Sequence, residues 1–442
     1  MAKQILFIIA LLITLGVFAY TIMRLWSFFK LTKPFPIRNY GKRIGLVLEI
    51  AFGQTKIFRR PVIGFLHAIV FWGFCVILLG SIEMVFDGVS GGEKSFYVAG
   101  FIYKFIFASG DVFAVLILIA IFIFIVRRLF FRIKRFMGYE LTHKNHADAY
   151  VALSIIFLLM VSLLLMNIFY CVMHPTNLKG YYPIGNLVAN NMKGLDFESA
   201  HLLYEISWWW HILLIFLFAN ILPYSKHFHV FLSVPNVFFS RLDPLGKLPN
   251  MDSITKEVKL MMNPETAFAA PDPNEKPPER FGVKDVEDIS WKNYFDSLSC
   301  TQCGRCSSVC PANITGKKLS PRKIMMDVRA RMKEKGPKLV KQGKDFNDNK
   351  ALLKDYIGLE EIWACTTCNA CAQECPVNIN QPTIIVDLRR YLVMEESTGP
   401  AGLNTIFNNI TNNGAPWQFS PEDRMLWAEE LYMGRQETGV RS

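Results

Sequence analysis

Five long apolar runs fill the first half of this chain, and charged or polar segments separate them. The runs cover residues 5–23, 62–82, 112–126 with extensions at both ends, 149–173 and 206–224. Each approaches or exceeds the roughly 20 residues that an α-helix needs to cross a bilayer. The pattern therefore predicts five transmembrane helices.

The first run has a second interpretation, because an apolar stretch near an amino terminus is also typical of a cleaved signal peptide. No small-x-small cleavage site follows the run, and it is longer than an ordinary signal-peptide core. We therefore expect a retained helix.

Basic residues are distributed unevenly among the loops between these runs. Fifteen Lys and Arg lie between spans one and two and between spans three and four, whereas the other two loops hold four. Because basic loops stay on the cytoplasmic side, the amino terminus is predicted outside and the carboxy-terminal half in the cytoplasm. The expected location is the cytoplasmic membrane, with several passes.

The formal net charge of +11 is confined to this membrane half. Residues 1–240 carry 21 basic against 10 acidic side chains, while residues 241–442 carry 27 of each. The excess is charge beside a membrane, where it favours anionic lipid headgroups. A nucleic-acid partner is not expected.

Two copies of one cysteine pattern follow the apolar runs, each ending in proline. They are Cys300, Cys303, Cys306 and Cys310 before Pro311, and Cys365, Cys368, Cys371 and Cys375 before Pro376. This C-x2-C-x2-C-x3-C-P run is the known bacterial signature for two 4Fe-4S clusters, in which the fourth cysteine ligates the other cluster. The prediction is one cluster on Cys300, Cys303, Cys306 and Cys375, and a second on Cys365, Cys368, Cys371 and Cys310.

Structural zinc is the alternative for such a pattern, since C-x2-C pairs also suit tetrahedral zinc. Zinc would need four of the eight cysteines and would leave the proline-terminated repeat unexplained, so clusters are favoured. The two remaining cysteines, Cys75 and Cys171, lie in apolar runs and are expected to be ordinary buried thiols.

Histidines inside the apolar half are candidate haem ligands, because ionisable side chains in a membrane are costly and commonly functional. His211 and His229 are 18 residues apart, which is five turns on the same face of one helix. His67 lies at about the depth of His229, so His67 and His229 are the predicted axial pair of an inner b-type haem. An outer pair would join His211 to His174, with His201 as a further candidate.

Hydrogen-bonded packing residues are the alternative interpretation of each histidine, and it is preferred for His143, His146 and His227. Pro223 is expected to kink the last helix between the two candidate ligands. Three acids near span ends, Glu83, Asp87 and Glu205, are weak candidates for proton carriers, because acids at such positions are usually just solvated.

The histidine segment resembles the cytochrome b subunits of respiratory nitrate reductase and heterodisulfide reductase. The resemblance rests on HILLIFLFANILPYSKHFH from His211 to His229 and on GFLH ending at His67. It implies five spans, haem b and a site for a quinone or methanophenazine. The chain departs from the nitrate reductase pattern at Ile77, where a second histidine would be expected for the outer haem.

The second half resembles the helical two-cluster ferredoxin of the small heterodisulfide reductase subunit. The shared motifs are CTQCGRC at 300–306, GKKLSP at 316–321 and DLRRYLVM at 387–394. Ser320 and Pro321 predict a helix start and Gly336 a stop, and further helices are expected from Asn349 towards Trp363 and from Pro382 to Glu396. The basic stretch 317–344 is a solvated face or a docking surface for an acidic partner.

The predicted fold is therefore a membrane all-α protein, a five-helix cytochrome b-like bundle followed by a mainly helical dicluster ferredoxin. The predicted divisions are 1–240 for the membrane domain, 241–290 for a linker with its proline-rich part at 263–282, 291–396 for the ferredoxin, and 397–442 for an extension that docks a partner or is simply exposed. The architecture is similar to iron-sulfur proteins that join electron transfer flavoprotein to menaquinone.

Neither a cysteine-rich CCG domain nor a G-x-G-x-x-G dinucleotide loop is present in this sequence. Substrate chemistry is therefore expected on a CCG-domain iron-sulfur or flavoprotein subunit in the cytoplasm. The chain would act as the electron-transfer subunit of an oxidoreductase, passing electrons to or from menaquinone or ubiquinone. The alternatives are a haem-free membrane anchor that recruits a soluble oxidoreductase, and a transporter-coupled redox subunit, which no pair of broken helices favours.

Overall fold

Five long apolar helices precede a group of shorter helices in the computed structural model. The model describes residues 1–192, 194–263, 265, 280–343, 345–429 and 431. Among these residues the only β structure is two isolated bridges. The predicted order, a five-helix apolar bundle and then a helical region with the cysteine motifs, is confirmed.

Within its described residues, the bundle half contains nine α-helices. They are α1 Ala2–Phe29, α2 Tyr40–Leu46, α3 Thr55–Phe58, α4 Pro61–Ser90, α5 Phe101–Phe130, α6 His143–Met173, α7 Pro183–Ala189, α8 Phe197–Ile221 and α9 His229–Phe238. The five candidate membrane spans are α1, α4, α5, α6 and the segment Phe197–Tyr224.

The described part of the second half contains nine more. They are α10 Asp252–Met262, α11 Trp291–Ser299, α12 Arg305–Ser308, α13 Pro311–Ile314, α14 Pro321–Gln342, α15 Leu359–Trp363, α16 Ala370–Glu374, α17 Gln381–Met394 and α18 Ala401–Asn413. The predicted last ferredoxin helix is confirmed as α17.

The bundle is built from neighbours in sequence, with α4 against α5, α5 against α6 and α6 against α8. Helix α1 closes it by packing on α4 and α8. Phe7 is fully buried in that contact, with its ring 5.7 Å from Trp208 and 5.8 Å from Phe216. Apolar side chains on the opposite helix faces are exposed on the bundle surface, as a lipid-facing surface requires.

The last span does not continue to His229, so the prediction of one helix carrying both His211 and His229 is wrong. Helix α8 ends at Ile221, two short 3₁₀ turns follow, and α9 begins at His229 itself. Pro223 cannot donate a helical hydrogen bond, and Ser225 adopts an extended conformation in which its hydroxyl accepts from the His227 N–H. The chain turns here rather than kinking.

Helix α14 is the centre of the ferredoxin core, and it is longer than predicted. It passes through Gly336 and ends at Gly343, whose φ is +96°. Gly336 serves packing instead, because a Cβ there would lie 3.1 Å from the Phe28 ring of α1. The helix begins after Ser320 as predicted, but the Ser320 hydroxyl does not cap it and instead contacts Ser307 and Glu140.

Two other segment predictions need correction. The helix expected from Asn349 forms only at α15, because Asn349 and Lys354 have left-handed backbones that interrupt it. The linker ends before residue 290, because Val283, Val286 and Ile289 are buried in the ferredoxin core. Most of the proline-rich part of the linker, 264 and 266–279, lies outside the described residues.

The ferredoxin half lies on the end of the bundle that carries the basic loops, which we call the ferredoxin-side face. Arg59 donates to the Gln373 carbonyl at 2.8 Å, and Asn145 donates to Gln302 at 3.0 Å. Arg329 of α14 donates to the Ser225 carbonyl at 3.0 Å. The opposite end of the bundle, with loops 91–100 and 174–196, is called the distal face.

Candidate electron-transfer centre

The two cysteine loops have the same backbone. In the first, Gln302 and Gly304 on either side of Cys303 have φ of +56° and +72°. In the second, Thr367 and Asn369 on either side of Cys368 have φ of +54° and +60°. Asn tolerates this left-handed region better than most residues, and here its amide also donates to the Thr367 carbonyl at 2.9 Å. Alternating left-handed residues curl each loop around its cysteines.

Gly304 is required by its neighbours as well as by its backbone. A Cβ at this position would lie 2.7 Å from the Arg135 carbonyl oxygen and 2.7 Å from Nη1 of Arg322. The first cysteine loop therefore approaches the loop between α5 and α6 more closely than any side chain allows.

Each fourth cysteine lies beside the other motif. Burial, together with the nearby Cys303 and Cys300 thiols, raises the pKa of the Cys375 thiol to about 12. In the same way burial raises the pKa of Cys371, with added contributions from Cys365, Cys310 and Cys368. Cys310 thus neighbours the second motif, and Cys375 the first.

The described residues contain no group of three or more His, Cys, Asp or Glu that converges to hold a single metal ion. Of the eight motif cysteines, Cys306, Cys310, Cys371 and Cys375 are buried, whereas Cys368 is exposed. The second motif therefore reaches the surface at Cys368.

A cavity of about 580 Å³ lies between the bundle and the first cysteine loop, and we call it the main cavity. Cys303, Arg305 and Pro376 line it from the ferredoxin half, and α4, α5, α6, α8 and α9 supply the other walls. Its volume is within the usual range for small-molecule and cofactor sites. The wall is mainly apolar, and its cationic side chains are Arg127, Arg128, Arg135, Lys226 and Arg305.

His67 and His229 both line the main cavity. They are close enough for an electrostatic interaction between the two rings. Nδ1 of His229 lies 3.2 Å from the Lys226 carbonyl, which leaves Nε2 without that restraint. Nδ1 of His67 is buried and has no hydrogen-bond partner. The structure therefore brings together the predicted inner pair in an apolar cavity.

These residues fit a b-type haem. Two imidazoles meet in one cavity, one ring orientation is fixed by a backbone carbonyl as metal-ligating histidines require, and the other ring has an orphaned buried nitrogen. The cationic lining suits the two carboxylates that haem b carries.

The predicted outer pair is wrong, because the structure separates its members. His211 is held by Ser162 Oγ at 2.9 Å and by the Leu159 carbonyl at 3.0 Å. Ser162 and Leu159 belong to α6, and His174 lies at the end of that helix. His174 is twelve residues beyond Ser162, which corresponds to about 18 Å along the helix axis. Its Nδ1 contacts the Tyr170 carbonyl instead. His201 stacks on Phe197, with ring centroids 6.1 Å apart.

The remaining predictions on single residues agree with the structure in part. His227 is hydrogen-bonded to the Ser225 hydroxyl at 3.0 Å, as the packing interpretation expects, although it also lines the main cavity. Cys171 is buried as predicted, whereas Cys75 is exposed and borders the main cavity. The buried side chains Asp111 and Lys94 were not predicted, although an acid beside the third apolar run was a visible signal in the sequence.

Residues 299–379 match the family model of the 4Fe-4S dicluster domain. The chain is 28% identical to the probable iron-sulfur-binding oxidoreductase FadF of Bacillus subtilis, over 97% of this chain and 61% of the relative. It is also 28% identical to an EtfAB:quinone oxidoreductase of Syntrophomonas wolfei, over 96% of this chain and 59% of the relative. The chain thus spans about 60% of the length of these relatives.

A shorter match was also found. It is 35% identical over 102 residues to one subunit of a ferredoxin/F420H2-dependent CoB-CoM heterodisulfide reductase of Methanosarcina acetivorans, covering 23% of this chain and 49% of the relative. No solved structure matches the chain. With the dicluster motifs and five apolar helices, these findings make the chain a membrane-anchored iron-sulfur electron-transfer protein with two 4Fe-4S clusters.

Proposed function

We propose that this protein carries electrons between a cytoplasmic redox partner and the membrane quinone pool, through its two 4Fe-4S clusters and a b-type haem. The observation that carries the proposal is that Cys303 of the first motif lines the same cavity as His67 and His229. A group held by these histidines would be the immediate neighbour of the first cluster.

The order in which electrons pass through the two clusters is inferred from the solvent exposure of their cysteines. The first cluster is assigned to Cys300, Cys303, Cys306 and Cys375, and its loop forms part of the wall of the main cavity. The second is assigned to Cys365, Cys368, Cys371 and Cys310, and Cys368 is exposed. The exposed cluster is placed to exchange electrons with a partner, and the other to exchange them with the membrane half.

His67 and His229 would hold the haem, which supplies a one-electron centre inside the membrane half. The Lys226 carbonyl orients the His229 ring, and the cationic lining near the ferredoxin-side face would pair with carboxylates. The apolar side chains that α4, α5 and α6 contribute to the wall would limit contact between the centre and water.

The quinone is proposed because of the name of one relative, an EtfAB:quinone oxidoreductase, which matches this chain over 96% of its length. Menaquinone and ubiquinone share the required chemistry, in which a quinone takes up two electrons and two protons to become a quinol. One-electron centres in series deliver those electrons singly.

The partner is proposed to be a CCG-domain iron-sulfur or flavoprotein subunit, because the name of one relative, an EtfAB:quinone oxidoreductase, pairs the quinone with a second redox protein. The surface beside the second cluster suits such a partner. Ile314 is 67% exposed, and Lys317 and Lys318 are exposed next to it, so an apolar contact is flanked by positive charge. The positive-inside pattern of the loops supports a cytoplasmic location for this surface.

The test is a haem count on the purified protein. Oxidised and dithionite-reduced optical spectra and a pyridine haemochrome assay would be recorded for the parent, His67→Ala, His229→Ala and the control His201→Ala. We expect haem b in the parent and the control, and its loss in both other variants, with about eight cluster irons per chain in every sample.

A cluster-loaded parent without haem would overturn the haem step. It would support instead the haem-free anchor that recruits a soluble oxidoreductase. Haem retained in both His67→Ala and His229→Ala would overturn the assigned ligands.

A further inference from the structure

The distal face contains a loop that is folded inward by two acids of α4. Asp87 accepts from the backbone N–H groups of Lys94 at 2.8 Å and Ser95 at 3.2 Å, and Glu83 accepts from that of Phe96 at 2.9 Å. Lys94 is thereby held with φ of +53°, a left-handed conformation that lysine rarely adopts. Its side chain enters the bundle and is only 8% exposed.

The Lys94 ammonium lies among three aromatic rings. Its Nζ is 5.0 Å from the centroid of Phe107 and 5.2 Å from those of Tyr170 and Tyr182. The Tyr182 hydroxyl, on a fully buried side chain, has no hydrogen-bond partner. A lysine is thus brought from an exposed loop to a polar site inside the distal half of the bundle.

Asp111 lies near Lys94 in the distal half of α5, as the eleventh of its 30 residues. It is 1% exposed, and its two oxygens accept from Asn167 at 2.9 Å and from the backbone N–H groups of Ile184 and Gly185 at 2.8 and 3.0 Å. A carboxyl group within a membrane span is costly and commonly marks an ion or proton path.

A small cavity of about 40 Å³ lies between these groups and the main cavity. Lys94, Asp111 and Asn167 line it, and Ile77, Ser81 and His211 line both cavities. The volume of the small cavity exceeds what one water molecule needs, and its polar side chains offer such a water several hydrogen-bond partners. A line of polar groups therefore extends from the distal loop to the distal end of the main cavity, beside His211.

We propose that Lys94 and Asp111, with water in the small cavity, form a proton route between the distal aqueous phase and the main cavity. The route reaches the main cavity beside His211. This inference rests on the proposed function, and it places the quinone chemistry that releases the protons at the distal end of the main cavity beside His211, away from the haem ligands His67 and His229. Oxidation of one quinol yields a quinone and two electrons, which leave through the one-electron centres, and two protons, which leave along this route to the distal face.

His211 is a positioning residue at the end of this route. Nδ1 of His211 is fixed by the Leu159 carbonyl and the Ser162 hydroxyl, so its ring is held as part of the wall between the two cavities. The other titratable groups that surround Lys94 and Asp111 are Glu83, Asp87, Tyr103, Tyr170, Cys171, Tyr182 and Tyr204.

The full chain in sealed liposomes tests the route. Menadiol would supply electrons, and ferricyanide, which does not cross the membrane, would accept them from chains whose ferredoxin half faces outward. Pyranine trapped in the lumen would report protons released at the distal face. We expect lumenal acidification of about one proton for each ferricyanide reduced, abolished by an uncoupler, because the quinol gives up equal numbers of both.

The variants are Asp111→Asn, Asp111→Glu and Lys94→Met, with Glu198→Gln as the matched control. Glu198 is an exposed acid in the first turn of α8, at the distal end of this helix, and it lines neither cavity. Because proton transfer by a positioned group contributes about 100-fold or more, we expect Asp111→Asn and Lys94→Met each to lower the coupled rate at least about ten-fold. Asp111→Glu should restore most of it, and the control should match the parent.

The alternative role of Asp111 is to anchor α7 through its three hydrogen bonds. In that case Asp111→Asn would lose cluster content, and Lys94→Met, which removes none of these bonds, would keep the parent rate and lumenal acidification; that result overturns the route. Protons released outside the liposomes by the parent also overturn it. If the parent fails to transfer electrons from menadiol to ferricyanide, the proposed function fails instead.

Discussion

The guanidinium of Arg322 lies 2.6 Å from the carboxylate of Glu140, and both side chains are 2% exposed. Arg322 belongs to α14 of the ferredoxin half, whereas Glu140 lies in the loop between α5 and α6 of the bundle. Ser320 donates to the same carboxylate at 2.5 Å. This buried ion pair fixes the ferredoxin half on the bundle, and with it the contact between Cys303 and the main cavity.

Removing one partner of this pair should destabilise the protein strongly. Glu140→Gln leaves the buried Arg322 charge without a counter-ion, which costs about 3 kcal/mol or more. The measurement is the unfolding midpoint followed through the cluster absorbance. The control is Glu334→Gln, which breaks an exposed ion pair with Lys350 and should leave the midpoint unchanged. Equal shifts for the two variants would contradict a docking role for Glu140.

The same carboxylate should make stability depend on acid pH. Burial opposes its ionisation, but the Ser320 hydrogen bond and the Arg322 charge outweigh burial and lower the pKa of Glu140 in the folded protein. A depressed pKa adds stability above the unfolded value of about 4.3, and that stability is lost as the pH falls through the folded value. The difference in unfolding free energy between the parent and Glu140→Gln should therefore be largest near neutral pH and shrink in acid. A difference that stays constant would show that the charge of Glu140 is not involved.

Gly304 should tolerate alanine much less well than Gly316 does. Both have left-handed backbones, with φ of +72° and +81°, so each substitution costs about 1–2 kcal/mol of backbone strain. Only at Gly304 would the new Cβ also collide with Arg135 and Arg322, whereas at Gly316 it meets nothing within 4 Å. Thermal melts of Gly304→Ala and Gly316→Ala separate the effect of the collision from that of backbone strain. If the two variants lost the same amount of stability, the first cysteine loop would not dock as closely as described.

The cysteine assignment predicts which variants should resemble each other. Cys375→Ser should give the electron paramagnetic resonance changes of Cys303→Ser, because both would remove a thiolate from the first cluster. Cys310→Ser should likewise resemble Cys368→Ser. If each motif held its own cluster, Cys375→Ser would pair with Cys368→Ser instead. Spectra of the four dithionite-reduced variants decide between the two arrangements.

Patterns of local origin were predictable from the sequence. A membrane span needs only length and apolarity, so the five long helices were predicted. Each span in the structure is longer than its apolar run, although the last one extends beyond the run only at its start. The cysteine repeats were equally clear, because a loop that wraps a cluster requires thiols at fixed spacing.

Predictions that extrapolated one helix failed where packing decided the outcome. Gly336 is a weak helix former, yet α14 continues through it because Phe28 of α1 packs against its missing side chain. His211 and His229 share a face on an ideal helix, but Pro223 ends that helix and α9 starts anew at His229.

The sequence by itself determined the chemistry available to this protein, namely eight cysteines in a two-cluster pattern, a set of histidines among apolar spans, and a basic end to the bundle. Tertiary structure alone decided which groups meet. The main cavity joins His67, His229 and Cys303, which are separated by more than 70 residues in each case. The small cavity joins Lys94 to Asp111 because two acids fold the distal loop inward. Periodicity and spacing report on neighbours within an element, whereas the sites are formed where separate elements pack together.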